Sequence, residues 1–511
     1  MPPVGSGPPA GDAPVLAALK ETGAIGSTVR QIAGRIARPE SQVARTLVTL
    51  SETGRVVRIG RGLWILRAFE RLDGRTDFAG PAEYVRAFEE EFGAKVGRYR
   101  GPITFTANDA APVHRWWPYV QGYSAEFVRT VLASHPIPAG ATVLDPFAGS
   151  GTTLVEARRA GFAAVGVELL PPAALAARVK TRFEVDPRRL TDAARRVVAA
   201  ARDGPRARMP FLRETRRQFS PRSLDALRRL RAALPDGDGP IDEALRLAFG
   251  RILIPASRLR RSPCLGYGRP PGTEEPDVLD AFRRAVATMA EDLDELQRDR
   301  GSWGPPARVV AGDARALDLA EGSVALAVTS PPYVNGMDYV MNYKIDLAWL
   351  GYAASYDDLA RFRAASVACD NLPRAELLPF LDPATAADPA LVPILTAIAD
   401  GVSRKGTYRR DDVHAVVARY FHDLVPVLRA VHRALVPGGR FVLVVGDSLL
   451  AGTYVPGDLL LARLGVAAGF SVRSVEVARE RRSGQRRSFK LRETVVTLEK
   501  GSRETRPPAG R

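Results

Sequence analysis

The stretch "ATVLDPFAGSGTTLVEARRAGFAAVGVEL" limits what this chain can fold into more than any other. An apolar run ends in Asp145, a glycine loop follows, then a helical pattern, then a second apolar run ending in Glu168. Strand, tight turn, helix and strand in under thirty residues describe a parallel βαβ unit. Further strands read in order: "ARVVAGDAR", "SVALAVTSPPY" and "GRFVLVVGDS", then a closing pair, "FSVRSVEVARE" and "FKLRETVVTLEK". The expected fold is therefore α/β, a Rossmann-like doubly wound sheet.

Length makes a single core improbable: 511 residues exceed one ordinary domain. Residues 14–68 read as three short helices ("PVLAALKETG", "TVRQIAGRI", "PESQVARTLVTLSETG") and a hairpin, "RVVRIGRGLWIL". That order resembles a small winged helix-turn-helix, with Gln42 and Arg45 exposed on the third helix and an arginine-bearing wing. Residues 69–125 are a bridge, and 126–500 carry the α/β domain. Two stretches interrupt that domain, a helical arginine-rich insertion at 181–306 and a second insertion at 352–411. Residues 1–13 and 501–511 read as disordered ends.

Composition narrows the partners. A net charge of +16, almost all of the positive charge being arginine, suits a polyanionic partner, with nucleic acid first and an anionic membrane surface a distant second. No apolar run nears the roughly twenty residues that span a bilayer, and no signal peptide is legible, so a cytoplasmic location without membrane contact is the expectation. Two cysteines cannot form a disulfide framework or a cysteine-rich zinc site, and no metal is expected.

The chemistry-bearing positions sit at strand ends. Gly149 and Gly151 permit close backbone approach to a ligand, and the helix start behind them favours an anionic group. Glu168, twenty-three positions after Asp145, suits both hydroxyls of a ribose, and Asp313 an adenine amino group. Together these residues describe an adenosine-bearing cofactor across the carboxyl edge of a sheet.

At this point the sequence resembles a known family, the amino-group DNA methyltransferases that use S-adenosylmethionine. "DPFAGSGTT" looks like their cofactor loop and "TSPPY", at 329–333, like their catalytic turn. The resemblance implies that Asp145, Pro146, Phe147, Ala148, Gly149, Ser150, Gly151 and Thr152 form the cofactor loop. Asp145 would hold the methionine amino group, Glu168 the ribose, and Asp313 and Ala314 the adenine pocket. "HRWWPYVQGYS", with Trp116, Trp117 and Tyr119, resembles the segment at the methionine end, although those rings suit core packing equally well.

Ser330, Pro331, Pro332 and Tyr333 would be the catalytic turn. Ser330 Oγ and the Pro331 carbonyl would accept the two N–H bonds of an exocyclic amine, and Tyr333 would stack on the flipped base. Cys264, in "SPCLG", reads as lying in a loop of the first insertion and is not placed as a nucleophile, because TSPPY occupies the position after the fourth strand. The serine points to cytosine N4; adenine N6, an RNA amine, and an inactive DNA-binding regulator stay open as alternatives. Asp338 and Tyr339, just beyond the turn, could cover the base. The setting implied is host modification or defence, with any restriction or defence partner encoded separately.

Overall fold

The computed structural model describes residues 12–22, 27–59, 63–66, 81–101, 103–119, 122–261, 264–268, 275–298, 301, 303–334, 337–368, 372–382, 385–405, 410–482 and 490–502. The first eleven residues, the tail beyond 502, the expected wing tip at 60–62 and Cys369 lie outside them.

At the N-terminus, helices α1 (Ala13–Thr22), α2 (Val29–Ile36) and α3 (Glu40–Glu52) accompany strands β1 (Ser27–Thr28), β2 (Val56–Ile59) and β3 (Leu63–Leu66), which pair antiparallel in the order β1-β3-β2. α2 starts on a capping box: Gln31 N donates to Thr28 Oγ1, and the Gln31 side chain accepts from Thr28 N. Val43, Leu47 and Leu50 bury one face of α3 against Val15, Leu19, Ile32 and Trp64. Gln42 and Arg45 stand exposed on its other face.

The main sheet has eight strands. In chain order they are β4 (Val96–Arg98), β5 (Thr142–Asp145), β6 (Ala163–Glu168), β9 (Arg308–Ala311), β10 (Val324–Thr329), β11 (Leu435–Gly446), β14 (Phe470–Arg482) and β15 (Lys490–Lys500). Two short hairpins account for the missing numbers, β7 (Leu259–Arg261) with β8 (Leu265–Tyr267) and β12 (Ser448–Leu450) with β13 (Thr453–Val455). Across the sheet the order is β4-β14-β15-β11-β10-β5-β6-β9, and only β15 runs antiparallel to its neighbours.

Adjacent residues in the central strands feed opposite faces. Val143, Leu326, Val328, Val442 and Val444 pack with Phe127, Val128 and Leu154 from helices Ala125–Ser134 and Thr152–Arg159. Their neighbours Leu144, Ala327, Leu443 and Val445 pack with Tyr420, Phe421 and Leu424 of helix Val413–Ala434. Burial on both faces is why these strands read as continuous apolar runs. From β5 the chain winds outward to β6 and β9, then returns to β10 and β11 on the other side. The crevice at that reversal is where doubly wound sheets hold ligands.

Three findings refine the sequence reading. Residues 69–125 are more than a bridge, since β4 completes the sheet edge and Phe88 joins its core. The first insertion holds the four longer helices Pro187–Asp203, Pro221–Ala233, Pro240–Leu253 and Val278–Arg298, yet the stretch read as a loop around Cys264 contains the β7–β8 hairpin. The second insertion contributes Leu391, Ile394, Leu395 and Ile398 to the core beside helix Val413–Ala434. Among the described residues no helix is long and apolar enough to cross a membrane.

Candidate active site

The carboxyl ends of β5, β6, β9 and β10 open onto one cleft of about 1050 Å³, its mouth included. Asp145, Pro146, Phe147, Ala148, Gly149, Ser150, Thr152, Glu168, Asp313, Ala314, Ser330 and Pro332 all line it. Residues 185 positions apart in sequence, Asp145 and Ser330, thus line one cleft because parallel strands place their ends side by side.

The glycine loop is shaped by close approach. Gly149 has φ +51°, and a Cβ there would lie 2.8 Å from the Tyr119 ring. Gly151 has φ +87°, and its Cβ would lie 2.8 Å from Ala177 Cα in helix Pro171–Lys180. Gly151 caps helix Thr152–Arg159 rather than lining the cleft.

The three strand-end acids are already hydrogen-bonded. Asp145 Oδ1 accepts from Thr329 Oγ1 (2.6 Å) and Phe147 N (3.1 Å), and its Oδ2 from Thr153 Oγ1 (2.7 Å) and Tyr123 OH (2.9 Å). Thr329 ties β5 to β10, and Thr153 and Tyr123 tie it to helix Thr152–Arg159 and to the stretch before helix Ala125–Ser134, so the structure gives Asp145 a tying role that the sequence reading missed. Glu168 accepts from Gly149 N and Leu170 N, each at 2.8 Å. Burial nevertheless pushes its carboxyl up to about 7, against those two bonds. Asp313 Oδ1 accepts from Arg315 N (2.9 Å), and its carboxylate pairs with the Arg315 guanidinium at 2.7 Å. Arg315 in turn reaches Asp423 at 2.9 Å.

The other wall is the TSPPY turn. Pro331 is buried, and the Pro332 carbonyl accepts from Tyr420 OH at 2.7 Å. Tyr333 does not line the cleft: its hydroxyl donates to Glu493 Oε1 at 2.6 Å, and its ring lies on Gly446, where a Cβ would come within 2.6 Å. Glu493 is held from its other side by Arg479. Burial and the nearby Glu493 charge raise the Tyr333 hydroxyl well above its ordinary value, so it stays a donor.

Met337, Asp338 and Tyr339 line the cleft beside this turn, with Ala365, Ser366, Val367 and Ala368 opposite. Asp338 caps the next helical turn through Met341 N (3.0 Å) and pairs with Arg363 at 2.8 Å. Of the aromatic segment, Trp116 and Trp117 are buried in the core and Tyr119 lines the cleft. Tyr119 stacks on Tyr343 at 5.6 Å and 14°.

Sequence reasoning did not assign Tyr123, Thr153, Thr329, Tyr420 or Glu493. Thr329 was visible inside TSPPY, and Glu493 as an acid in the apolar run "ETVVTL" of β15. Tyr420 carried no signal, because a tyrosine in an amphipathic helix reads as packing.

The cleft suits an adenosine-bearing group. Phe147, Val167, Ala314 and Val367 give it apolar walls for a base, and Glu168 a paired acceptor for hydroxyls. Ser150 Oγ is buried at the loop and makes no hydrogen bond to a described residue, an unmet polar group facing the ligand's place.

Comparison with known proteins bears on this cleft directly. Residues 123–177, which span β5, the glycine loop and β6, match the DNA methylase family N6_N4_Mtase. The chain is 23% identical over 449 residues to the type II methyltransferase M.BsoBI of Geobacillus stearothermophilus, covering 78% of this chain and 87% of that protein. It is 24% identical over 432 residues to the type II methyltransferase M.AvaI of Nostoc sp., covering 78% and 88%. Among solved structures, TrmN from Thermus thermophilus aligns at 14% identity and a TM-score of 0.24, over 74% of this chain and 48% of that one.

Proposed function

We propose that this chain is a DNA methyltransferase that transfers a methyl group to an exocyclic amine of a base flipped out of the duplex. The observation that carries the reading is the meeting of Asp145, Glu168 and Asp313 with Ser330 in one cleft. The match of residues 123–177 to a DNA methylase family supports it. The cofactor is S-adenosylmethionine, which supplies an electrophilic methyl on sulfur. Glu168 would accept from the ribose, Ala314 and Asp313 would flank the base, and Ser150 Oγ would meet the amino-acid end.

An exocyclic amine is a weak nucleophile while its lone pair is shared with the ring. Ser330 Oγ and the Pro331 carbonyl would accept its two N–H bonds and draw that pair back onto nitrogen. The N–C bond forms as the S–C bond breaks, and the amine releases one proton to water. No covalent bond to the protein is required, and rate comes chiefly from alignment. Tyr333, anchored by Glu493 outside the cofactor cleft, would contact the base only beyond Ser330, and Tyr420 holds the turn through Pro332.

The serine of TSPPY supports cytosine N4 over adenine N6, since a neutral acceptor suits the cytosine amine. Residues 14–68 read as a winged helix adding DNA affinity, with Gln42 and Arg45 on the face of α3 that would enter a groove. The names of the similar type II methyltransferases support a role in host DNA modification, with a separately encoded restriction or defence protein as partner. The test is incubation with isotope-labelled S-adenosylmethionine and unmethylated genomic DNA, followed by nucleoside mass spectrometry. N4-methylcytosine is the expected product; N6-methyladenine overturns the base assignment, and label confined to RNA overturns the DNA reading.

A further inference from the structure

The helical insertion carries many arginines, and most near the centre of it are spoken for. Arg206, Arg222, Arg229, Arg231 and Arg246 each meet a carboxylate. Arg188, Arg189, Arg196, Arg202 and Arg208 are exposed and meet no carboxylate among the described residues either, but only one such set gathers around exposed rings. Arg213, Arg216 and Arg217, from the turn before helix Pro221–Ala233, and Arg258 and Arg260, at β7, pair with no carboxylate among the described residues. All five are exposed. Glu214 is the acid among them, and it also faces Lys344 at 4.0 Å.

Two exposed tyrosines lie inside this cluster. Tyr267, on β8, is 43% exposed and Tyr356 45%, and both count among the few large exposed rings of the described surface. Arg217 covers the Tyr267 ring at 4.6 Å and Arg213 the Tyr356 ring at 5.6 Å. Arginine over an exposed ring leaves the guanidinium edge pointing outward with its donors free.

The hairpin is not loosely attached. Arg258 N donates to Gln218 O at 2.8 Å, which fixes it to the Arg213–Arg217 segment. Arg261, alone of the hairpin arginines, turns inward. Its Nη2 reaches Asp346 Oδ2 at 2.5 Å, its Nε donates to Asn342 O at 3.1 Å, and its guanidinium lies 4.1 Å from the Tyr343 ring. Tyr343 stacks on Tyr119, which lines the cleft. One continuous stack therefore joins the hairpin to the cofactor loop, and Asn342 and Asp346 belong to the segment that follows TSPPY. Arg260 points the other way, across Gly268, and makes no hydrogen bond or ion pair to a described residue.

We infer that the β7–β8 hairpin and the Arg213–Arg217 segment form the surface that grips double-stranded DNA beside the flipped base, with Arg260 and Arg216 on phosphates and Tyr267 at the duplex. This rests on the DNA methyltransferase reading above. Charge chooses the occupant: five unpaired guanidiniums against one carboxylate fit a phosphate backbone and oppose a basic or apolar partner. Anchoring by Arg261 explains how such a surface holds the duplex at a fixed distance from the active turn.

The experiment measures anisotropy of a mixed-sequence 30-base-pair DNA duplex against salt concentration, for the full chain and for Arg260→Ala, Arg260→Lys and Arg216→Ala/Arg260→Ala. Each lost phosphate contact should lower the slope of log K on log salt by about 1. Arg260→Lys should keep the slope, and titrated S-adenosylmethionine should bind all variants alike. A wild-type slope in the double variant, in a protein that still methylates DNA, overturns the inference alone. A full chain that binds duplex RNA of the same length more tightly than DNA overturns it as well. Absence of any methyl transfer by the full chain removes the reading beneath it, and with it this surface.

Discussion

The two walls of the cleft are built by opposite means. On the cofactor wall most supports are near in sequence: Glu168 takes the amides of Gly149 and Leu170, and Asp145 takes Phe147 N, Thr153 Oγ1 and Tyr123 OH, with Thr329 Oγ1 of β10 the one distant donor. On the base wall, Ser330 and Tyr333 stand on a proline turn whose supports come from far along the chain, Tyr420 and Glu493. The difference teaches where each function is vulnerable. A cofactor site held largely by its own loop should fail by distortion of that loop. A base site propped from β15 and helix Val413–Ala434 should fail when a remote prop is removed while cofactor binding persists.

The largest expected effect falls on the base wall. Ser330→Ala removes the acceptor for the amine and should lower methyl transfer by about 100-fold or more, measured by labelled methyl incorporation, with S-adenosylmethionine affinity kept. On the cofactor wall, Gly151→Ala forces a side chain into a left-handed backbone 2.8 Å from Ala177. It should cost about 1–3 kcal/mol of stability, read by thermal denaturation, and weaken cofactor binding along with it. Equal loss of binding in both variants would erase the distinction between the walls.

A pH dependence sharpens it further. The Glu168 carboxyl, raised by burial from 4.5 to about 7, accepts from two hydroxyls only when ionised. Cofactor affinity should therefore be about tenfold weaker at pH 6 than at pH 8, and Glu168→Gln should flatten that profile at a weaker level. For the free protein the sign is reversed. The stability contributed by neutral Glu168 is complete below its unfolded value near 4.5 and is lost as pH rises through about 7. The smallest effect belongs to Glu493→Gln, which keeps a partner for the Tyr333 hydroxyl but removes its charge. A loss of about tenfold in kcat, with KM for S-adenosylmethionine unchanged, would mark Glu493 as a positioning residue. An unchanged kcat would make the contact structural only.

Much of this was legible in the sequence because the signals are local. Strand, glycine loop, helix and strand-end acid follow one another within a few dozen residues, so spacing sets Asp145, Gly149 and Glu168 at strand ends and loop, while the role read for Asp145 comes from the family resemblance. The roles of Thr329, Tyr123 and Glu493 were not legible, because they exist only after β5, β10 and β15 are brought into one sheet. The hairpin around Tyr267 was hidden for another reason. Its glycines and prolines read as a loop, and two three-residue strands are too short for alternation to register.

One measurement addresses the separation of the walls most directly. S-adenosylmethionine is titrated calorimetrically into the wild-type chain and into Ser330→Ala/Tyr333→Ala, and the same preparations are assayed for methylated nucleosides in DNA. Unchanged cofactor affinity with no N-methylated base is the expected result. Loss of cofactor binding in the double variant, or methylated bases at the wild-type level, would contradict it.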